Sequence, residues 1–277
     1  MRWAGVSDVS VREQVVKSAI KAAVGGVLLT ILAGAAHAEP VTFFGYILNA
    51  SISGQYAPSY EGGKHYTGFP GGSVAITKPW EFDAFSAPDD AASFGLINTK
   101  HFQFGAALSV RENRGNDDEL QGMRSIGWAF QGGGFMNIWP TRYMRIHVEG
   151  LKGLTAESGI VVNSGIDFVA HPKKWNLSVG PRYSWGDDHF NGTYFGVTQA
   201  EAVASPFITN PFHARAGSHF AGVEAMAEYK WQPRWRLTLN ANYNRLLGDD
   251  ANSPLVRQIG TPNQFGVGAG LRFMLQD

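Results

Sequence analysis

Apolar and polar residues alternate along much of this chain. From Phe265 to Leu275 every second residue is apolar, and the residues between them are glycine or polar apart from Met274. The same alternation runs through residues 175–185, 221–231 and 235–243. Successive side chains of a β-strand point to opposite faces, so each segment predicts a strand with one apolar face and one small or polar face.

Eleven such strands can be placed along the chain. They lie near residues 44–57, 73–83, 92–98, 102–111, 124–138, 143–151, 159–170, 175–185, 218–231, 235–247 and 265–275. Both termini of an exported barrel are expected on the periplasmic side, which requires an even number of strands. A twelfth strand is therefore placed between Glu61 and Phe69, with Pro70-Gly71-Gly72 as its turn. The fold prediction is all-β: a transmembrane, antiparallel, up-and-down β-barrel of about 12 strands, with 10 to 14 possible.

Aromatic residues and loop lengths favour a barrel in lipid over a soluble sandwich. The apolar stripes begin or end in aromatic residues, as at Trp175, Trp235 and Tyr243, where the aromatic girdles of a membrane barrel lie. Short connections alternate with long polar ones. The short ones are 139–143, 171–174 and 231–235, and the long ones are 111–122, 186–217 and 248–264. The short set is predicted to face the periplasm, because barrels of the outer membrane have short periplasmic turns.

The N-terminal 38 residues predict a cleavable signal peptide. Basic residues precede an apolar stretch from Ala22 to Ala36, and Ala36-His37-Ala38 supplies the small residues of a cleavage site. The stretch is too short to span ~30 Å of hydrocarbon. Residues 39–277 are then the barrel, exported to the outer membrane. The chain has 23 basic and 23 acidic side chains and no cysteine, which argues against a nucleic-acid partner and against thiolate metal sites.

Two segments in the long connections carry a family resemblance. One contains Tyr194, Phe195, Gly196 and Val197, and the other contains Arg245, Leu246, Gly248, Asp249, Ser253 and Pro254. Together with residues 57–62, they resemble the MipA/OmpV family of outer-membrane proteins across nearly the whole mature chain. Asp249 and Asp250 are expected to pair with Arg245 or to cap a turn. The second segment is interpreted either as a structural latch between loops or as a loop that contacts a ligand or partner.

The resemblance implies a non-enzymatic structural or scaffolding role linked to peptidoglycan (murein). A member of the family resembles a scaffold that brings a murein lytic transglycosylase together with a penicillin-binding protein. Such partners would meet the periplasmic turns, where Arg142, Lys173, Lys174 and Arg234 could contact an acidic surface; ordinary solvated turn charges are the alternative. Outer-membrane lipid and lipopolysaccharide are the expected surroundings of the barrel wall.

The polar face of the strands predicts a charged barrel interior. Strand alternation places eight charged residues inward: Arg145, Arg182, Arg236, Arg272, Glu149, Asp167, Glu224 and Glu228. The equal numbers of each sign favour pairing, because an unpaired buried charge is costly. These side chains either pair and fill the lumen, or line a narrow channel for small solutes.

An enzymatic function is the remotest alternative. The chain lacks the Gly-x-Ser-x-Gly motif of serine hydrolases. Asp187, Asp188 and His189 in one long loop, with Asp117 and Asp118 in another, could form a rim hydrolase only if they converged around a water molecule. Turn formation by aspartate explains the same residues more simply. No cofactor or metal site is expected.

Overall fold

Eleven β-strands form a closed barrel in the computed structural model. The structure describes residues 47–77, 85–111, 113–115, 118–155 and 159–274. The strands are β1 (Ile47–Pro58), β2 (Tyr66–Thr77), β3 (Ala92–Asn98), β4 (Phe102–Arg111), β5 (Ala129–Thr141), β6 (Met144–Gly153), β7 (Ile160–Ala170), β8 (Trp175–Gly186), β9 (Gly217–Lys230), β10 (Trp235–Leu246) and β11 (Asn263–Met274). The barrel prediction is confirmed. The predicted leader and its cleavage site lie outside the described residues.

Neighbouring strands pair antiparallel except at one seam, between β2 and β3. These two strands are parallel and are joined by one pair, Ile76 with Phe94. The twelfth strand was misplaced: the position predicted to turn, Pro70-Gly71-Gly72, lies inside β2, and residues 66–77 pair with β1 without interruption. The parallel seam lets eleven strands close while β1 and β11 remain antiparallel neighbours.

The two ends of the barrel differ in their connections. At one end, here called the turn end, residues 99–101, 142–143, 171–174 and 231–234 join consecutive strands. At the other, the loop end, connections include residues 187–216 and 247–262 and carry helices. The connection from β2 to β3 begins at the turn end and finishes at the loop end, since the two strands run in the same direction.

The outer face of the wall is apolar and exposed. Along β10, Leu237 and Leu239 are exposed, whereas Arg236 on the opposite face of the same strand is buried inside. Outward aromatic side chains mark both ends: Tyr56, Phe130, Tyr183 and Phe265 near the loop end, and Tyr143, Phe168, Trp175 and Trp231 near the turn end. An apolar belt between two aromatic girdles is the surface that a barrel presents to lipid. No helix among the described residues is long and apolar enough to cross a membrane.

Four short helices form a folded cap over the loop end. They are α1 (Asp188–Phe195), α2 (Gln199–Ala204), α3 (Gly248–Asn252) and α4 (Pro254–Arg257). These helices, the rest of residues 187–216 and 247–262, and residues 59–65 and 118–126 are together called the loop cap. Its own core contains Tyr60, Leu120, Met123, Val197, Ala202, Ile208, Leu255 and Ile259. A second cluster joins α1 to inward-facing wall residues, including Phe135, Leu151 and Val161, so the loop cap sits in the mouth of the barrel.

Gly62 illustrates how tightly the loop cap packs. Its φ of +89° lies in the left-handed region, which a residue with a Cβ rarely adopts. A Cβ at this position would also lie 2.7 Å from Cγ2 of Val256 in α4. Glycine is therefore required both by the turn and by its contact with the helix.

We expect Leu239→Arg to destabilise the folded barrel in lipid. Leu239 lies mid-strand on the outer face and is 51% exposed, so a charge there costs ~2–4 kcal/mol near the membrane midplane. The free energy of unfolding from phospholipid vesicles in urea measures this loss. Asn240→Ser is the matched control, because Asn240 faces inward and its hydrogen bonds are long, at 3.4 and 3.5 Å. Equal losses for both variants would contradict the assignment of the two faces.

Candidate functional site: the filled lumen and the loop cap

Residues 85–91, here called the lumen segment, lie inside the barrel rather than in its wall. Near the turn end, Phe85 packs edge-to-face on Trp139, with ring centroids 6.3 Å apart. Farther along, the backbone N–H of Ala91 donates to Oε2 of Glu149 on β6 at 3.3 Å. Ala91 also packs against the cluster beneath the loop cap. The lumen segment therefore connects the turn end of the interior to the loop end.

Two arginines of the wall hold the lumen segment through its aspartates. Arg145 on β6 donates from Nη1 and Nη2 to both carboxylate oxygens of Asp90, at 2.6 and 2.9 Å. Arg182 on β8 binds Asp89 in the same bidentate manner, at 2.6 and 3.2 Å. Asp167 on β7 accepts from both arginines, at 2.8 and 2.7 Å. Bidentate, charge-assisted pairs of this kind are the strongest hydrogen bonds of proteins and fix geometry as well.

A second ion-pair cluster closes the interior near the turn end. Oε1 of Glu228 accepts from Nη1 of Arg236 at 2.9 Å. Nη1 of Arg272 lies 3.1 Å from the other carboxylate oxygen. Asn176 donates to Glu228 as well, at 3.0 Å. One buried carboxylate on β9 thus binds side chains from three other strands.

The structure places all eight interior charges of the sequence analysis inside the barrel. Six of them take part in the two clusters above, and the remaining two are Glu149 and Glu224. Glu149 accepts from Asn163 and Ala91, and Glu224 lies 3.5 Å from Nδ2 of Asn240. Side chains of a water-filled lumen would be exposed, but Arg145, Asp167, Glu224 and Glu228 are each at most 3% exposed. The charged part of the lumen is packed with protein.

Sequence reasoning missed the groups that complete this interior. Asp89 and Asp90 lie in a segment without strand alternation, so no face could be assigned to them. The one indication in the sequence was that Asp89 and Asp90 lie between two predicted strands of the wall. His147 was also missed, although it shares the inward face of β6 with Arg145 and Glu149 and contacts Asn137 at 2.7 Å.

At the loop end, the two family segments bind each other. The hydroxyl of Ser253 donates to the backbone carbonyl of Phe195 at 2.6 Å, and both groups are buried. Ser253 is also the N-cap of α4, where its Oγ accepts from the N–H of Leu255, and Pro254 occupies the first turn. Val197 follows α1 and pairs with Phe212 through two backbone hydrogen bonds of 2.8 Å. These contacts support the interpretation of the second segment as a structural latch.

The acidic residues of the second family segment have partners other than Arg245. Asp249 binds the side chain of Arg215 at 3.0 Å, and Asp250 binds Nδ1 of His219 at 2.8 Å. Arg245 donates instead to Asn263 at 2.8 Å. The expected pairing of Asp249 or Asp250 with Arg245 is therefore wrong; each carboxylate fastens a different strand or loop. Gly248, with φ of +54°, makes the turn that starts α3.

A chain of paired charged groups runs from the ends of β4 and β9 into the loop cap. Arg111 at the end of β4 binds Glu61 at 2.5 Å, and Nε2 of His219 lies 3.5 Å from the same carboxylate. Burial alone would raise the pKa of Glu61, but Arg111 and His219 hold this pKa well below its ordinary value. Burial raises the pKa of Asp250, and the hydrogen bond from His219 opposes that shift. The chain joins the connections 59–65 and 247–262 to the ends of β4 and β9.

The residues considered for rim hydrolysis have structural roles or lie apart. Asp187 is the N-cap of α1 and accepts from the N–H of Phe190 at 2.7 Å. Asp188 accepts from the N–H of Ala216, and the side chain of His189 is exposed. Ser218 bonds to Tyr183 on the outer face, whereas His219 is buried inside. Asp117 lies outside the described residues.

The basic residues of the short turns lie at the turn end. Arg142, Lys173 and Lys174 are exposed, and Arg234 is half-buried. Arg142 stacks on the ring of Tyr143 at 4.6 Å. Lys173 has a φ of 55°, the left-handed conformation of a tight turn. These four residues and Lys100 are the charged side chains of the four described turns, and all five are basic.

Residues 50–275 match the family described as MltA-interacting protein MipA. This chain belongs to the MipA family. The resemblance noted from the family segments is confirmed, and with the closed barrel and its apolar belt it identifies an outer-membrane β-barrel protein. No curated protein sequence matches the chain.

Several solved barrels of outer membranes are similar in fold. An outer membrane channel from Pseudomonas putida F1 is 11% identical, with a TM-score of 0.40, and the match covers 87% of this chain and 98% of that one. KdgM porin is 9% identical, with a TM-score of 0.37 and coverages of 82% and 98%. The outer membrane protease OmpT from Escherichia coli is 10% identical, with a TM-score of 0.33 and coverages of 83% and 95%. Sequence identities and TM-scores as low as these carry no argument about this chain.

We expect Ser253→Ala to loosen the loop cap. The change removes the hydroxyl that binds Phe195 and caps α4, and a buried carbonyl left without its donor costs ~1–3 kcal/mol. Protease cleavage of the loops in the folded protein should accelerate, while the wall stays intact. Ser125→Ala is the matched control, because Ser125 belongs to the loop cap but is exposed. Identical cleavage rates for the two variants would refute the latch.

The lowered pKa of Glu61 predicts a loop cap that resists mild acid. The ionised form contributes stability that is present above the ordinary glutamate pKa of ~4.3 and is lost only as pH falls through the lower folded value. Amide hydrogen exchange of residues 59–65 should therefore be protected alike at about pH 7 and pH 5. Glu61→Gln should reduce protection at both, and Asp118→Asn, at an exposed residue of the loop cap, should not. Loss of protection in the wild type by pH 5 would contradict this pairing.

Proposed function

We propose that this protein is a non-enzymatic scaffold of the outer membrane that holds murein enzymes at its periplasmic face. The proposed partners are a murein lytic transglycosylase and a penicillin-binding protein. The family description, MltA-interacting protein, supports a partner of the first kind. In this proposal the turn end faces the periplasm and the loop cap faces outward, since membrane barrels have short periplasmic turns.

The observation that carries the proposal is the uniform positive charge of the four described turns at the turn end. Lys100, Arg142, Lys173, Lys174 and Arg234 project from four turns in which no described residue is acidic. Basic groups around one end of a barrel attract a partner with an acidic face and orient its approach. They suit a docking surface for a soluble or lipid-anchored enzyme of the periplasm.

A capture experiment tests this docking surface. Reversal of three charges, Lys173→Glu, Lys174→Glu and Arg234→Glu, should weaken binding of a purified murein lytic transglycosylase by about tenfold or more, with the larger loss at low salt. Binding to the protein in detergent micelles can be followed by surface plasmon resonance.

The matched control reverses two exposed arginines of the loop end, Arg215→Glu and Arg257→Glu, and should leave this affinity unchanged. Wild-type protein that fails to bind the enzyme, or a turn-end variant that binds as well as wild type, would remove the scaffold proposal.

The contacts of the acidic loop residues support a protein without catalytic activity. A hydrolytic site needs a carboxylate and a histidine that reach the same water molecule. Asp187 and Asp188 are engaged with backbone N–H groups of the loop cap, and His219 is enclosed by the rings of Phe190, Phe195 and Phe220. These arrangements stabilise loops.

The filled lumen supports a barrel that does not conduct, rather than the narrow solute channel. The lumen segment occupies the interior, and its aspartates neutralise the arginines that would line a pore. We expect the purified protein to be silent in a planar lipid bilayer over a wide range of voltage.

Release of the lumen segment should open a path for ions. The double variant Asp89→Asn, Asp90→Asn removes the carboxylates that bind Arg182 and Arg145, so discrete conductance steps should appear. Asp118→Asn, an exposed residue of the loop cap, is the control and should stay silent. Steady conductance of the wild type would favour the channel, and a silent double variant would show that the segment stays in place without these pairs.

A further inference from the structure

A cavity of about 220 Å³ lies at the loop end, between the end of β1, the end of β4 and α1. Its lining includes Ser59, Glu61, Arg111, Arg114 and Tyr194. This cavity is separate from the turn end and from the lumen segment, and the proposed scaffold makes no use of it.

Buried polar atoms without hydrogen-bond partners are concentrated around this cavity. Within the described part of the chain they include Oγ of Ser59, Oε2 of Glu61, Nε of Arg111 and Nε of Arg114. A buried donor or acceptor that is left unpaired costs ~1–3 kcal/mol. Four such groups around one space, two donors on arginines and two oxygens that accept, indicate that the space is filled by a polar molecule.

Arg114 gives the cavity its positive charge. Its side chain is 4% exposed, and Nη1 and Nη2 donate to the backbone carbonyls of Tyr194 and Arg124, at 2.7 and 3.3 Å. Among the described residues no carboxylate oxygen lies within 4.0 Å of this guanidinium. Burial, together with the charge of Arg124, lowers the pKa of Arg114 to about 10, so it stays protonated at neutral pH.

The other two charges of the lining neutralise each other. Arg111 and Glu61 form an ion pair at 2.5 Å, which leaves the described lining with one net positive charge. The ring of Tyr194 supplies an apolar wall and is itself covered by the guanidinium of Arg111, 5.1 Å from its centroid. A molecule that suits this cavity is anionic, carries a donor for Glu61, and has a carbon skeleton to place against Tyr194.

We infer that the cavity binds a small organic carboxylate that also carries a hydroxyl or ammonium group. The carboxylate accepts from Nε of Arg111 and Arg114, and the hydroxyl or ammonium group donates to Oε2 of Glu61. An ammonium group can donate to Oγ of Ser59 as well. The volume admits a molecule of the size of a hydroxy acid or an amino acid. Ordered water, at about 30 Å³ a molecule, could satisfy the same atoms, but among the described residues it would leave Arg114 without a carboxylate within 4.0 Å.

Calorimetric titration of the folded protein in detergent micelles tests this inference. The probes are lactate and glutamate, with lactamide and glutamine as neutral counterparts of the same shape. At least one anion should bind with a Kd of about 1 mM or lower, and its neutral counterpart at least tenfold more weakly. Equal binding of the anionic and neutral members of both pairs, or binding by none of the four, would show that the cavity holds water only.

Variants of the lining locate the binding site. Arg114→Gln should abolish binding of the anion, and Ser59→Ala should weaken it several-fold. Arg215→Gln, which removes an exposed arginine elsewhere at the loop end, should leave the affinity unchanged. Because Arg114 also supports the loops, the heat-modifiable mobility of the folded barrel in gels is checked for each variant. If Arg114→Gln does not fold, Arg114→Lys and Ser59→Ala decide: unchanged affinity in both would overturn the inference.

Discussion

Ion pairs between the lumen segment and the wall govern the interior of this barrel. Inward charges of a closed barrel are shielded from bulk water, so each must find a partner or become very costly. Arg145 and Arg182 have partners on the wall, but Asp167 alone cannot balance both. Asp90 binds Arg145, and Asp89 binds Arg182. The same pairs that neutralise the arginines therefore fill the lumen and favour a structural over a conducting role.

Buried polar groups of the loop cap also need hydrogen-bond or ion-pair partners. Long connections of a barrel bring many backbone polar groups to its mouth, and a buried group needs a partner. Here short helices pair backbone groups within the loops, and Ser253 binds the carbonyl of Phe195 between two loops. The chain from Arg111 to Asp250 pairs the charges. One end of the molecule is thus an ordered lid with its own core, while at the other end the four turns that the structure describes are short and basic.

The wall and its inward charges could be predicted from sequence, and the segment that fills the barrel could not. Alternation fixes the face of the strand on which each residue lies. The sequence alone therefore assigns Arg236 to the inner face of the barrel and Leu239 to the outer face. Residues 61–72 show its limit: glycine and proline in β2 resemble a turn, yet pairing with β1 holds them extended. Asp89 and Asp90 lie in a segment without alternation, and Asp249 pairs with Arg215, which is 34 residues away in the sequence. Such contacts depend on how loops meet in space.

The parallel seam between β2 and β3 sets the path of the chain through the barrel. Two parallel strands need a connection that returns from one end of the sheet to the other. Each end of the lumen segment leads, along the chain, into one of these two strands of the wall. The seven residues are therefore a plug that is tethered at both ends, and they cannot be lost from the barrel as a free plug could. The pair of Ile76 with Phe94 is the contact that makes this tether part of the wall.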